Sequence, residues 1–101
     1  MRAQEVFRQK RYLEHQDGDR IAIYEIVIWK VPTSIAYPNG VKYRVWLSED
    51  GQTIFGIDNH KPKGHHLHVG KVEMPYVYRG VDELRSDAGK LIRQEGFIYE
   101  D

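Results

Sequence analysis

Between Asp58 and Val72 the chain reads Asp-Asn-His-Lys-Pro-Lys-Gly-His-His-Leu-His-Val-Gly-Lys-Val. This run holds four of the five histidines, His60, His65, His66 and His68, beside Lys61, Lys63 and Lys71. No carboxylate interrupts it between Asp58 and Glu73. Imidazole exchanges a proton near neutral pH unaided, and neighbouring lysines hold an anionic ligand or disfavour the imidazolium form. A phosphodiester is the ligand class that such side chains suit. Cleaving RNA without a metal requires one group to take the 2′-hydroxyl proton, another to protonate the leaving oxygen, and a cation to face the phosphorane. His66 and His68 are the candidate acid and base, Arg44 is the candidate cation, and Tyr43 or Asp58 positions a histidine or the sugar. Lys61, Lys63 and His65 are candidates for substrate binding, with Trp46 or Tyr37 stacking a base.

Two readings from other classes stay open. The spacing His66-Leu67-His68 puts two imidazoles on one side of a strand, and Glu73 follows with Gly80 beyond, a pattern that resembles the first cupin motif. It lacks the expected preceding glycine and a second motif, yet the three side chains are of types that hold zinc, nickel or manganese. The other reading is a non-catalytic module that contacts nucleic acid or protein through the histidine strand. The plainest reading of the cluster is a solvated polar face, and Asp58-Asn59 reads equally well as a turn bonding its own backbone.

The elements that carry these residues are legible from periodicity. Phe7 to His15 reads as a strand leading into the Asp17-Gly18-Asp19 turn. Ile21 to Lys30 is rich in β-branched and aromatic residues on both faces, which predicts a central strand. Pro32 and Tyr37-Pro38-Asn39-Gly40 mark an irregular connection. Val41, Tyr43, Val45 and Leu47 then point one way and Lys42, Arg44 and Trp46 the other. Ser48-Glu49-Asp50-Gly51 turns the chain into Gln52 to Asp58. A further strand is expected from His65 to Val72, with Leu67 and Val69 opposite His66 and His68. Leu84, Ala88, Leu91 and Ile92 recur at helical spacing between Val81 and Gln94, Gly96 is a stop, and the tail adds a short segment or frays. His15 stands apart and reads as a surface residue. The expected fold is α+β: a curved antiparallel sheet of about five strands with one C-terminal helix packed on it.

With 101 residues the chain is expected to form one domain, 1–101, with a single modest core. Fifteen basic and fifteen acidic residues cancel, so nucleic acid is not drawn in by overall charge and any such binding is local. Cysteine is absent, which removes disulfides, thiolate metal sites and thiol nucleophiles. Met1 to Glu5 lacks the apolar core of a signal peptide, and no segment nears the roughly 20 apolar residues that cross a bilayer. A cytoplasmic protein with no membrane association is the expectation.

Tyr43-Arg44-Val45-Trp46, Asp50-Gly51 followed by Ile54-Phe55, Asp58-Asn59, and His65-His66-Leu67-His68 occur in an order that resembles the TumE family of toxin components. The likeness runs from Asp17 to about Gln94 and rests on the order of several short motifs. It implies a small toxin encoded beside a DNA-binding antitoxin that neutralises it by contact. Ribonuclease activity without a cofactor is the expectation by analogy with other small toxins, and a homodimer stays open. Two features depart from the family pattern: Gly56 and Ile57 stand where members commonly carry an arginine, and the loop from Asn59 to the histidines is short.

Overall fold

A computed structural model describes residues 3–60 and 63–100, so Lys61 lies outside the described residues. The chain order is β1 (Gln4–Glu14), β2 (Ile21–Lys30), β3 (Val41–Glu49), β4 (Gln52–Asp58), β5 (His66–Val69), β6 (Val72–Pro75) and α1 (Val81–Gln94). Among the described residues the strands form one sheet in sequential order, each antiparallel to the next. Turn chemistry explains the meander. Asp50 and Gly51 both have positive φ, 51° and 78°, the conformation of a two-residue turn whose twist matches the strands it joins.

Period-two alternation builds the core. Ala22, Tyr24, Ile26 and Ile28 of β2, Tyr43, Val45 and Leu47 of β3, and Phe55 and Ile57 of β4 are buried in one cluster with Leu84, Ala88 and Ile92 of the helix. The helix therefore covers one face of the sheet, and among the described residues no helix or strand covers the other. Its end is set by Gly96 at φ 89°, where the amide of Gly96 donates to the Arg93 carbonyl at 3.0 Å and that of Phe97 to Ile92 at 3.2 Å. That paired closure directs Phe97 back into the core.

Two expectations are revised and one open alternative is decided. The strand expected from His65 to Val72 is a hairpin, β5 and β6, turned at Gly70 and Lys71, which makes the sheet six-stranded rather than about five. The tail does not fray: Phe97 and Tyr99 are buried, and the Ile98 amide donates to the Glu14 carbonyl at 2.8 Å. His15 anchors this closure, with its ring edge-on to Phe97 at 4.9 Å and Nε2 3.1 Å from the Glu95 carbonyl oxygen.

The pairing of β4 with β3 ends at Asp58 opposite Arg44, so Tyr43 and Val41 lack a ladder partner on that side. Asn59, 3% exposed, supplies one: its Oδ1 accepts the Tyr43 amide at 2.9 Å and its Nδ2 donates to the Val41 carbonyl at 2.8 Å. Replacing Asn59 by alanine strands both backbone groups. Asn59→Ala is expected to lower unfolding stability by about 1–3 kcal/mol, read as a shifted denaturant midpoint with unchanged slope. An unchanged midpoint would show that the clamp is dispensable.

Candidate functional site

Directly paired residues on neighbouring strands share a face of the sheet. The register therefore aligns Arg44, Asp58 and His66 as one row across β3, β4 and β5, on the face away from the helix. The adjacent row on that face is Trp46, Gly56, His68 and Glu73. Two rows thus gather Arg44, Trp46, Asp58, His66 and His68 from a stretch of chain that no local turn could close.

The two imidazoles stand edge to face, 4.7 Å apart at 85°, but in different settings. His66 is only 7% exposed. Its Nδ1 lies 2.8 Å from the Gly64 carbonyl oxygen, which can only accept, so this nitrogen carries a proton. Its Nε2 lies 3.2 Å from Oδ1 of Asp58. That same oxygen accepts the His60 amide at 3.0 Å, so Asp58 does bond its own backbone while also facing the histidine. His68 has 37% of its side chain exposed and is the imidazole that a ligand reaches first.

Glu73 approaches His68 Nδ1 no closer than 3.9 Å. Its carboxylate is occupied by Lys63, at 2.9 and 3.0 Å, and this contact holds it below the usual carboxylate range. The donor set able to surround a cation is consequently Asp58, His66 and His68, whose ligand atoms lie within 4.8 Å of one another. In that set Asp58 takes the place that the sequence pattern gave to Glu73.

Arg44 lies with its guanidinium 4.5 Å over the Trp46 ring and, among the described residues, forms no ion pair. Lys42, two residues earlier on β3 and on the same face, sits 5.6 Å over Trp29. Four other described cations are paired with carboxylates: Arg8, Lys63, Arg20 with Glu49 at 2.7 Å and Arg79 with Asp87 at 2.9 Å. The face therefore sets two cations on indoles beside the carboxylates of Glu25, Asp58 and Glu73, in a chain with no net charge.

Tyr43 and His65 belong elsewhere. Tyr43 points to the helix side and is buried, and its hydroxyl meets His65 Nδ1 at 2.8 Å. His65 packs in a cluster with Tyr43 and Tyr78, near-parallel rings with centroids 5.7 and 5.1 Å from it and 5.2 Å from each other. Burial lowers the His65 pKa, with the nearby His66 adding to the effect, and burial raises that of Tyr43. Tyr43 positions a histidine, but not one of the pair on the open face. Tyr37 stays in the 31–40 connection, its amide held by Ser34. Sequence reasoning passed over Asn59, Gly56 and Trp29 as members of the site, because their parts depend on which strand lies beside which.

The model of the family described as Toxin TumE matches residues 2–95 of this chain. No curated protein and no solved structure matches it.

Removing the Tyr43 hydroxyl tests the separation of the two faces. Tyr43→Phe is expected to cost about 0.5–1.5 kcal/mol of stability and to change the ring resonances of His65 in NMR spectra while leaving those of His68 in place. A shift at His68 of the same size would mean that the two faces communicate.

Proposed function

The chain belongs to the TumE family of toxins, and from that premise we propose that it inhibits growth by cleaving RNA on the open face of its sheet. The supporting observation is the row Arg44, Asp58, His66 with His68 beside it: an unpaired guanidinium, a carboxylate and two imidazoles on three adjacent strands. His68, the reachable imidazole, takes the proton of a ribose 2′-hydroxyl. The freed oxygen attacks the neighbouring phosphorus, a 2′,3′-cyclic phosphate forms, and the bond to the 5′-oxygen breaks. That oxygen leaves with a proton from Nε2 of His66, which turns from Asp58 to the leaving oxygen while Gly64 holds Nδ1. Arg44 opposes the charge that builds on the phosphorane.

With no net charge on the chain, RNA would be held by this patch. Lys63 can join only by giving up Glu73, so it contributes less than a free lysine. Membership of a toxin family implies an antitoxin, and a DNA-binding antitoxin that covers the open face would block the reaction directly. Among the described residues no helix is long and apolar enough to cross a membrane. One observation favours a second reading: the converging donor atoms of Asp58, His66 and His68 suit a divalent cation.

Inducible expression of wild type beside His68→Gln and Arg44→Ala, with total RNA examined and purified untagged protein assayed on single-stranded RNA, decides the matter. Each substitution is expected to reduce cleavage by about 10²–10⁴-fold, with wild-type cleavage unaffected by chelator. Growth arrest without RNA fragmentation would overturn the proposal, and cleavage abolished by chelator would establish the metal reading in its place.

A further inference from the structure

Gly56 sits in the interior of β4, where glycine weakens a strand and calls for a reason. Its backbone gives none. Its φ is not among the positive values, and a Cβ built on it would meet nothing closer than the Val45 carbonyl oxygen at 3.6 Å, an ordinary contact. What the missing side chain does is leave a gap between Trp46 and His68, its partners on either side. That gap is a cleft of about 310 Å³ lined by Arg44, Trp46, Thr53, Gly56, Asp58 and His68. On the other side of Arg44 and Asp58 lies a second cleft, of about 440 Å³, lined by Trp29, Lys42, Arg44, Asp58 and His60.

The two clefts share Arg44 and Asp58, and each contains one tryptophan with a cation over its ring. Lys42, Arg44 and Trp46 alternate along one face of β3, so the position beside Trp29 and that of Trp46 are about 13 Å apart along the strand, with Arg44 midway. Both volumes fall near the lower end of those that hold small ligands. An indole or a guanidinium plane offers a stacking surface to any base, and Thr53, His60 and His68 bring polar edges to the rims.

We infer that the open face recognises a dinucleotide step of single-stranded RNA, one base in each cleft and the phosphate between them at Arg44. This rests on RNA being the substrate. It adds that both bases must be unstacked from each other, so paired RNA does not fit. Gly56 is then the residue that admits the base beside Trp46.

The probe is a dinucleoside monophosphate whose first sugar is 2′-deoxy, which binds without being cleaved. Trp29→Phe leaves Trp46 to report its cleft by fluorescence, and Trp46→Phe leaves Trp29 to report the other. The dinucleotide is expected to quench both, while a self-paired RNA hairpin stem quenches neither. Gly56→Val is expected to weaken dinucleotide binding by about 10-fold and to abolish quenching of Trp46 but not of Trp29. Gly56→Ala, whose Cβ has room, gives a smaller loss in the same direction should the valine protein fail to fold. Quenching of Trp46 that survives both substitutions, or equal quenching by the stem, overturns the two-cleft assignment; if single-stranded RNA is still cleaved, the proposed function stands without it. Wild type that neither binds nor cleaves single-stranded RNA ends both.

Discussion

The register of β4 between β3 and β5 is the constraint on which the rest of the molecule depends. Side chains alternate across a strand, so a slip of one residue would carry Asp58 to the helix side and turn Ile57 to solvent. The core forbids that slip. Phe55 and Ile57 must lie with Val45, Leu47 and the helical residues Leu84, Ala88 and Ile92, all with almost no exposure. Burying a side chain such as Ile57 contributes about 1.5–3 kcal/mol, more than polar groups on the open face gain by meeting. The polar row is thus held in line by apolar packing on the reverse of the same strands.

Asp58 and Asn59 show how neighbours in sequence divide the work. Asp58 closes the ladder opposite Arg44 and faces the imidazole of His66. Asn59, pointing the other way, continues the ladder with its side chain where the strand has stopped. His65 and His66 divide similarly, one into the Tyr43 and Tyr78 stack, the other into the row with Asp58. In each pair, the alternation of a β-ribbon turns one residue toward packing and its neighbour toward chemistry.

Local electrostatics, not total charge, distinguishes the open face. Arg44 and Lys42 rest on indoles, while Arg20 and Arg79 are matched to carboxylates. A cation over an aromatic ring keeps its charge available to an anion, whereas one in a carboxylate pair must exchange a partner to bind. Two cations without a carboxylate partner among the described residues thus stand ready for an anion on the face of a neutral protein, beside the carboxylate of Asp58.

By itself the sequence determined the helix from Val81 to Gln94, the turns at Asp17-Gly18 and Asp50-Gly51, and the opposition of His66 and His68 to Leu67 and Val69. Each is a local matter of period, turn chemistry or side-chain direction, carried by residues close together in the chain. It missed the hairpin at Gly70, since glycine followed by lysine is a weak turn signal inside an otherwise strand-like run. It misjudged His15 and left the tail open between a short segment and fraying, because both are settled by contacts between opposite ends of the chain. Only the tertiary structure decided that Asp58 rather than Glu73 meets the histidines, that the Tyr43 hydroxyl meets His65, and that Gly56 opens a cleft beside Trp46. Those outcomes depend on which strands are neighbours and in what register, and that is settled by packing the whole apolar face at once.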